Sequence, residues 1–271
     1  MSWMGETPAG ATGAWLHGVV RDADPATLAA IPGMDGGPVR AVSAAGLVAV
    51  VSTAPLDEYG EEPLRRNLED LAWLERAARA HHAVVEALAR RGPVVPARLA
   101  TVHTDDERVA GSLAARRAEL VDTLDLLTGR GEWGVKGYLA PGEAAVDAGT
   151  TGRGGVGTAY LRRRRAQLTS REEHLQVAGT AADAVHGALC ELAVAGRRHA
   201  PQDRRLSGAS ATMVLNGAYL VDVEALPRFT DLVGSLGHRH PGVRLELTGP
   251  WPAYSFVAER PEPALTVREA G

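Results

Sequence analysis

The longest ordered pattern in the sequence is an apolar stripe in its second half. Leu161, Leu168, Leu175, Ala178, Ala182, Val185, Leu189 and Leu192 recur at heptad-like steps and predict one helix from about Thr158 to Ala195. A helix with one dry face has to be covered by a sheet or a partner helix. The flanking sequence supplies strands for that purpose. Glu132 to Leu139 and Ala211 to Val223 read as strands, and Val243 to Thr248 alternates strictly, which puts one face in a core and the other in water. A helix is expected over Leu226–Leu236, a polar loop over Gly196–Ser210, and a last strand over Tyr254–Val257. The order from Trp133 is then β, long α, β, α, β, β, close to the split β-α-β arrangement of ferredoxin-like domains.

The first half carries different signals. Ala14 to Val20 is a strand candidate. Val39–Ser43 and Leu47–Ser52 form a hairpin across Ala44-Ala45-Gly46, read as a three-residue loop ending in a glycine bulge. A single helix is expected from about Pro63 to Arg91, stopped by Gly92-Pro93, with Val94-Val95 a short strand broken by Pro96. Thr104 and Glu107 make a capping box for a further helix that ends at Gly129 and Gly131. The predicted fold class is α+β with two domains. Residues 1–131 form an N-terminal α+β domain built on the antiparallel hairpin, 132–258 a ferredoxin-like domain with the long helix, and 259–271 a mobile tail.

Composition excludes several function classes. A net charge of −4 over 271 residues argues against a dominant nucleic-acid-binding surface. The single cysteine, Cys190, permits no internal disulfide and fits a reducing compartment. The first residues lack a basic region followed by an apolar core, and no apolar run approaches the roughly 20 residues of a membrane span, so a cytoplasmic, membrane-free protein is expected. Of the 29 basic residues only Lys136 is a lysine.

Catalytic and ligand motifs are weak. Gly152-Arg153-Gly154-Gly155-Val156-Gly157 matches G-x-G-x-x-G before a helix, and a nucleotide-binding enzyme using this loop is the alternative reading. The preceding strand ends near Leu139, however, and no acid-terminated second strand follows at the required distance. His81-His82 point about 100° apart on a helix, and His238 and His240 have no cysteine or acidic cluster to complete a metal site. Glu172-Glu173 read as a solvated helix face, Cys190 as a structural thiol, and Arg162–Arg165 as a basic run for phosphates, an acidic protein surface or solvent. No catalytic residue, metal or cofactor is therefore expected. Eight of the 12 aromatic residues lie after residue 132. They can fill a C-terminal core, or Trp251 and Tyr254, held by Pro250 and Pro252, can form a rigid partner-binding edge.

Several segments together resemble the gas vesicle protein L/F family (GvpL/GvpF). They are Gly46 to Ser52, Pro93-Val94-Val95-Pro96-Ala97-Arg98-Leu99-Ala100-Thr101, Glu132-Trp133-Gly134-Val135-Lys136, Gly157-Thr158-Ala159-Tyr160-Leu161, Ala218-Tyr219-Leu220-Val221, and Gly249-Pro250-Trp251-Pro252-Ala253-Tyr254-Ser255-Phe256. Leu99 and Ala100 replace the Phe and Gly more usual in this pattern. The resemblance implies a non-enzymatic accessory protein of gas vesicles. Its implied partner is the major shell protein GvpA, alongside other gas vesicle accessory proteins, and its implied place is the cytoplasm and the gas vesicle. It also marks Arg98, Trp133, Lys136, Tyr160, Tyr219, Trp251 and Tyr254 as structural or partner-interface residues.

Overall fold

The structure, a computed structural model, describes residues 10–140, 156–201 and 211–257, with side chains of 156–164 and 166–171 excepted. It is a mixed fold of helices and two antiparallel sheets. The chain divides into two compact units, residues 1–129 with 252–271, and residues 130–251.

In the first unit β1 (Thr12–Val20) is the sheet's hub. It pairs antiparallel with β3 (Leu47–Pro55), with β4 (Val95–Pro96) and with β5 (Val102–His103), while β2 (Val39–Ala44) extends the sheet beyond β3. Ala14, Leu16 and Val19 join Val109, Leu113, Leu120 and Leu124, which belong to α5 (Asp106–Ala115) and α6 (Arg117–Leu127). Val20 and Val50 instead meet Val84, Val85 and Leu88 of α4 (Leu71–Ala89). Helices thus cover both faces, which is why β1 is buried almost throughout rather than alternating. Three short helices complete this unit, α1 (Pro25–Ala29), α2 (Leu56–Tyr59) and α3 (Glu61–Asn67).

Local chemistry corrects four expectations here. Ala44 pairs with Leu47, so the hairpin turn has two residues, Ala45 and Gly46, both at positive φ (54° and 75°). That is the left-handed geometry that matches strand twist in a tight hairpin. The expected helix from Pro63 is interrupted because Asp70 accepts from the amides of Ala72 (2.8 Å) and Trp73 (3.3 Å), starting α4 afresh. The next helix is capped by Asp105, which accepts from Arg108 N at 2.8 Å, rather than by Thr104, and it breaks at Arg116. Pro96 belongs to β4, opposite Gly18, where the adjacent Ala97 N–H donates to the His17 carbonyl (2.9 Å) and no amide hydrogen is called for at residue 96.

The second unit contains β6 (Arg130–Leu139), α7 (Val156–Leu192), β7 (Ala195–Arg198), β8 (Met213–Asp222), α8 (Leu226–Arg239) and β9 (Val243–Trp251). Its sheet runs β7-β8-β6-β9, all antiparallel, a split β-α-β order in which each helix connects strands that are not neighbours. Two expectations are corrected. Residues 195–198 form β7 on the edge of the sheet, not a loop, and Tyr254–Phe256 is a 3-10 turn, not a strand. Of the helical stripe, Ala178, Ala182, Val185 and Leu189 are buried; the last three pack with Val135, Leu215, Tyr219 and Phe229. The rest of the 196–210 segment past residue 201, the glycine loop at 152–155 and the expected tail at 259–271 lie outside the described residues.

Candidate functional site

The densest buried polar cluster lies in the first unit. Between Leu16 and Gly18 the β1–β3 register shifts, leaving His17 as the extra residue of a bulge. Bulges re-aim side chains, and here the His17 ring stacks on that of His81 from α4, with centroids 5.2 Å apart. His17 Nε2 lies 2.8 Å from Ser52 Oγ, which also accepts from Met34 N at 3.0 Å. A side chain at Gly33 would collide with that hydroxyl, so glycine is required there. Trp15 Nε1 donates to His81 Nδ1 (3.0 Å), which leaves His81 Nε2 to donate to the Ala97 carbonyl (3.1 Å). His81 is therefore held as one neutral tautomer. Burial, reinforced by His81 nearby, pushes the His17 pKa down to about 3. Burial also lowers that of His81 to about 4, against the opposing pull of the Ala97 carbonyl.

A serine beside a histidine invites a catalytic reading, and the geometry gives it no support. His17 and Ser52 are 0% and 2% exposed, and both His81 nitrogens are engaged. A nucleophile and its base must reach a substrate. These groups instead tie β1, β3, α4 and the segment at Ala97 together. The backbone bulge was the missing signal; periodicity alone does not reveal it.

The residues marked in the sequence do not converge on one site. Tyr219 is fully buried in the second unit, its hydroxyl 2.7 Å from His186 Nδ1, and burial raises its pKa. Trp133 is half-buried against the same core. Lys136 is half-buried on central β6, in register with Asn216 and Glu246. Trp251 ends edge strand β9 with its indole donating to Thr248 Oγ1 at 3.1 Å, and it remains 47% exposed. Its exposure departs from the expectation of a core-filling indole. In the first unit Arg98 is exposed at the rim of a small pocket of about 50 Å³ with Thr101, Arg116 and Val257. Tyr254 lies against His81 and His82, each ring centroid 6.4 Å away, and burial raises its pKa. The Tyr160 side chain lies outside the described residues. Cys190, near His186 at 3.7 Å, has its thiol pKa raised by burial, the opposite of an activated nucleophile. No group of three or more metal-ligating side chains occurs among the described residues, and no described helix is long and apolar enough to cross a membrane.

Comparison with known proteins supplies the context that the clusters lack. Residues 13–258 match the family described as gas vesicle synthesis protein GvpL/GvpF. Gas vesicle protein L from a Streptomyces strain is 42% identical over 260 residues, spanning 95% of this chain and 97% of that protein. Gas vesicle protein F from the same strain is 24% identical over 259 residues, spanning 90% and 98%. The crystal structure of GvpF from Anabaena superposes with a TM-score of 0.61 at 21% identity, covering 92% of this chain and 97% of that one, a shared fold. The strand, turn and helix signatures noted in the sequence fall within the matched span, and the chain belongs to the GvpL/GvpF family of gas vesicle proteins.

Proposed function

We propose that the protein is a non-enzymatic assembly or structural accessory of gas vesicles that binds the major shell protein GvpA. The observation that carries this reading is the 42% identity to gas vesicle protein L across nearly the whole of both chains. Within one Streptomyces strain the L protein is far more similar than the F protein, 42% against 24%, which favours an L-like role. The physical need for such a partner is plain. A shell subunit with a gas-facing apolar surface aggregates in water unless something covers it.

Two features of the chain suit that task. β9 is an edge strand of the second sheet, and edges accept a further strand. Trp251 sits at its end, partly exposed, as the kind of large amphipathic side chain that dominates protein interfaces. The buried state of His17, Ser52 and His81 further favours a structural role over a catalytic one.

The test is direct binding of purified shell subunit, with ATP and NAD as comparison ligands. Saturable capture of the subunit without nucleotide binding is the expected result. Nucleotide binding without subunit capture would replace this reading with that of a ligand-binding enzyme using residues 152–157. A gene deletion should abolish or cripple vesicle formation while shell protein is still made.

A further inference from the structure

A second cavity in the first unit has the chemistry of a receptor for a positive charge. It is a cleft of about 320 Å³, at the small end of ligand sites and closer to a side chain than to a cofactor. Its wall includes Asp35, Glu58, Tyr59, Trp73 and Arg76. Asp35 Oδ2 accepts from the Tyr59 hydroxyl at 2.6 Å, and Glu58 Oε1 accepts from Trp73 Nε1 at 3.1 Å. Each carboxylate is thus held by an aromatic donor, and Glu58 also interacts with the Tyr59 hydroxyl. Tyr59 and Trp73 pack on each other with ring centroids 5.9 Å apart. Neither Asp35 nor Glu58 forms an ion pair among the described residues, although Arg76 stands at the same cleft. Elsewhere on the surface exposed acids are commonly paired, as Arg79 is with Glu75 and Arg40 with Asp106.

We propose that this cleft binds the cationic end of a basic protein side chain, a guanidinium or an ammonium, between the exposed Asp35 and Glu58 carboxylates that the buried Tyr59 and Trp73 hold in place. A carboxylate gives a guanidinium a charge-assisted partner, and two carboxylates already fixed by buried donors cost less to order on binding. A neutral or anionic group gains no such partner. Arg76 lines the cleft and repels an incoming cation, so it acts as a brake on affinity. This inference rests on the cleft alone and holds whichever partner the gas vesicle role requires.

The test is an NMR titration of the full chain, following the Trp73 indole resonance assigned with a Trp73→Phe variant. The probes are Nα-acetyl-arginine amide, the uncharged Nα-acetyl-norleucine amide, and agmatine as a free guanidinium. Arginine amide is expected to give a saturable shift in the millimolar range, and norleucine amide none. Arg76→Gln should tighten binding a few-fold, and the double variant Asp35→Asn, Glu58→Gln should weaken it at least fivefold. Both changes preserve the scaffold. Asparagine tolerates the positive φ of 53° at position 35, and glutamine still accepts from the Trp73 indole. Failure of arginine amide to saturate in both the native chain and Arg76→Gln overturns the proposal. So does an equal response to norleucine amide, or undiminished binding in the double variant. Binding of agmatine without arginine amide removes the protein side chain as the ligand.

Discussion

Each unit pins an aromatic residue of its central sheet to a histidine on the long helix above it, and the two solutions differ in depth. In the first unit Trp15 of β1 donates to His81 of α4, and the histidine is 2% exposed with both nitrogens used. In the second, Tyr219 of β8 meets His186 of α7 at 2.7 Å, and the histidine is only half-buried. The pKa of His81 is pushed down to about 4, whereas burial lowers that of His186 with the Asp183 carboxylate opposing the shift. The same pairing is therefore a fixed part of one core and an adjustable contact at the margin of the other. Water decides which, because an unsatisfied polar atom is costly only where water cannot replace the partner.

Acid should expose this contrast most strongly. His17 and His81 have folded pKa values of about 3 and 4, below the ordinary 6.5. Above pH 6.5 both are neutral folded or unfolded and cost nothing. As the pH falls below 6.5 the unfolded chain takes up protons that the folded chain refuses. Stability then drops by up to about 1.4 kcal/mol per pH unit for each histidine, until the folded values are reached. Urea unfolding at pH 7, 6 and 5 checks the slope, and His17→Phe should remove part of it. A flat profile would contradict the buried, neutral histidine pair.

Next in size is His81→Leu, expected to cost about 3 kcal/mol because it strands the Trp15 N–H and the Ala97 carbonyl together. The matching change in the other unit, Tyr219→Phe, should cost about 1 kcal/mol, since half-buried His186 can turn to solvent. If Tyr219→Phe proved as damaging as His81→Leu in thermal melts, the distinction between the two units would collapse. Smallest in stability is Trp251→Ala, expected to change it by about 0.5 kcal/mol or less, while weakening shell-subunit binding by about 2 kcal/mol if the indole is an interface anchor. A large loss of melting temperature would return Trp251 to the core.

The parts of the fold legible in the sequence were those written as periodicity. The stripe of α7 and the alternation of β9 state which face is dry, and so predict a helix packed on a sheet. Interruptions were hidden because they depend on one side chain choosing a nearby amide. Asp70 and Asp105 each do so, and apolar spacing runs past them unchanged. The edge strand β7 was hidden by its composition, since Ala195-Gly196-Arg197-Arg198 looks like a loop and is held by pairing with β8. The buried cluster was less legible still. His17, Ser52 and His81 are far apart in sequence and have no motif spacing; a bulge and a missing side chain at Gly33 bring them together. Family signatures placed the chain in a class without revealing this, because Trp133, Lys136 and Tyr219 lie on strands whereas Arg98 and Tyr254 lie in the other unit.

The chain leaves the first unit after residue 129 and rejoins it at Pro252, and the pairing of Glu132 with Trp251 brings the exit and the return side by side. During synthesis, β1 through α6 emerge from the ribosome well before Tyr254 and Phe256, which must wait until β6 through β9 have been translated. The nascent first unit therefore spends that interval without the ring that lies against His81 and His82. A nascent-chain series stalled before and after residue 257, probed by limited proteolysis, should show α4 becoming protected late, although it is made early.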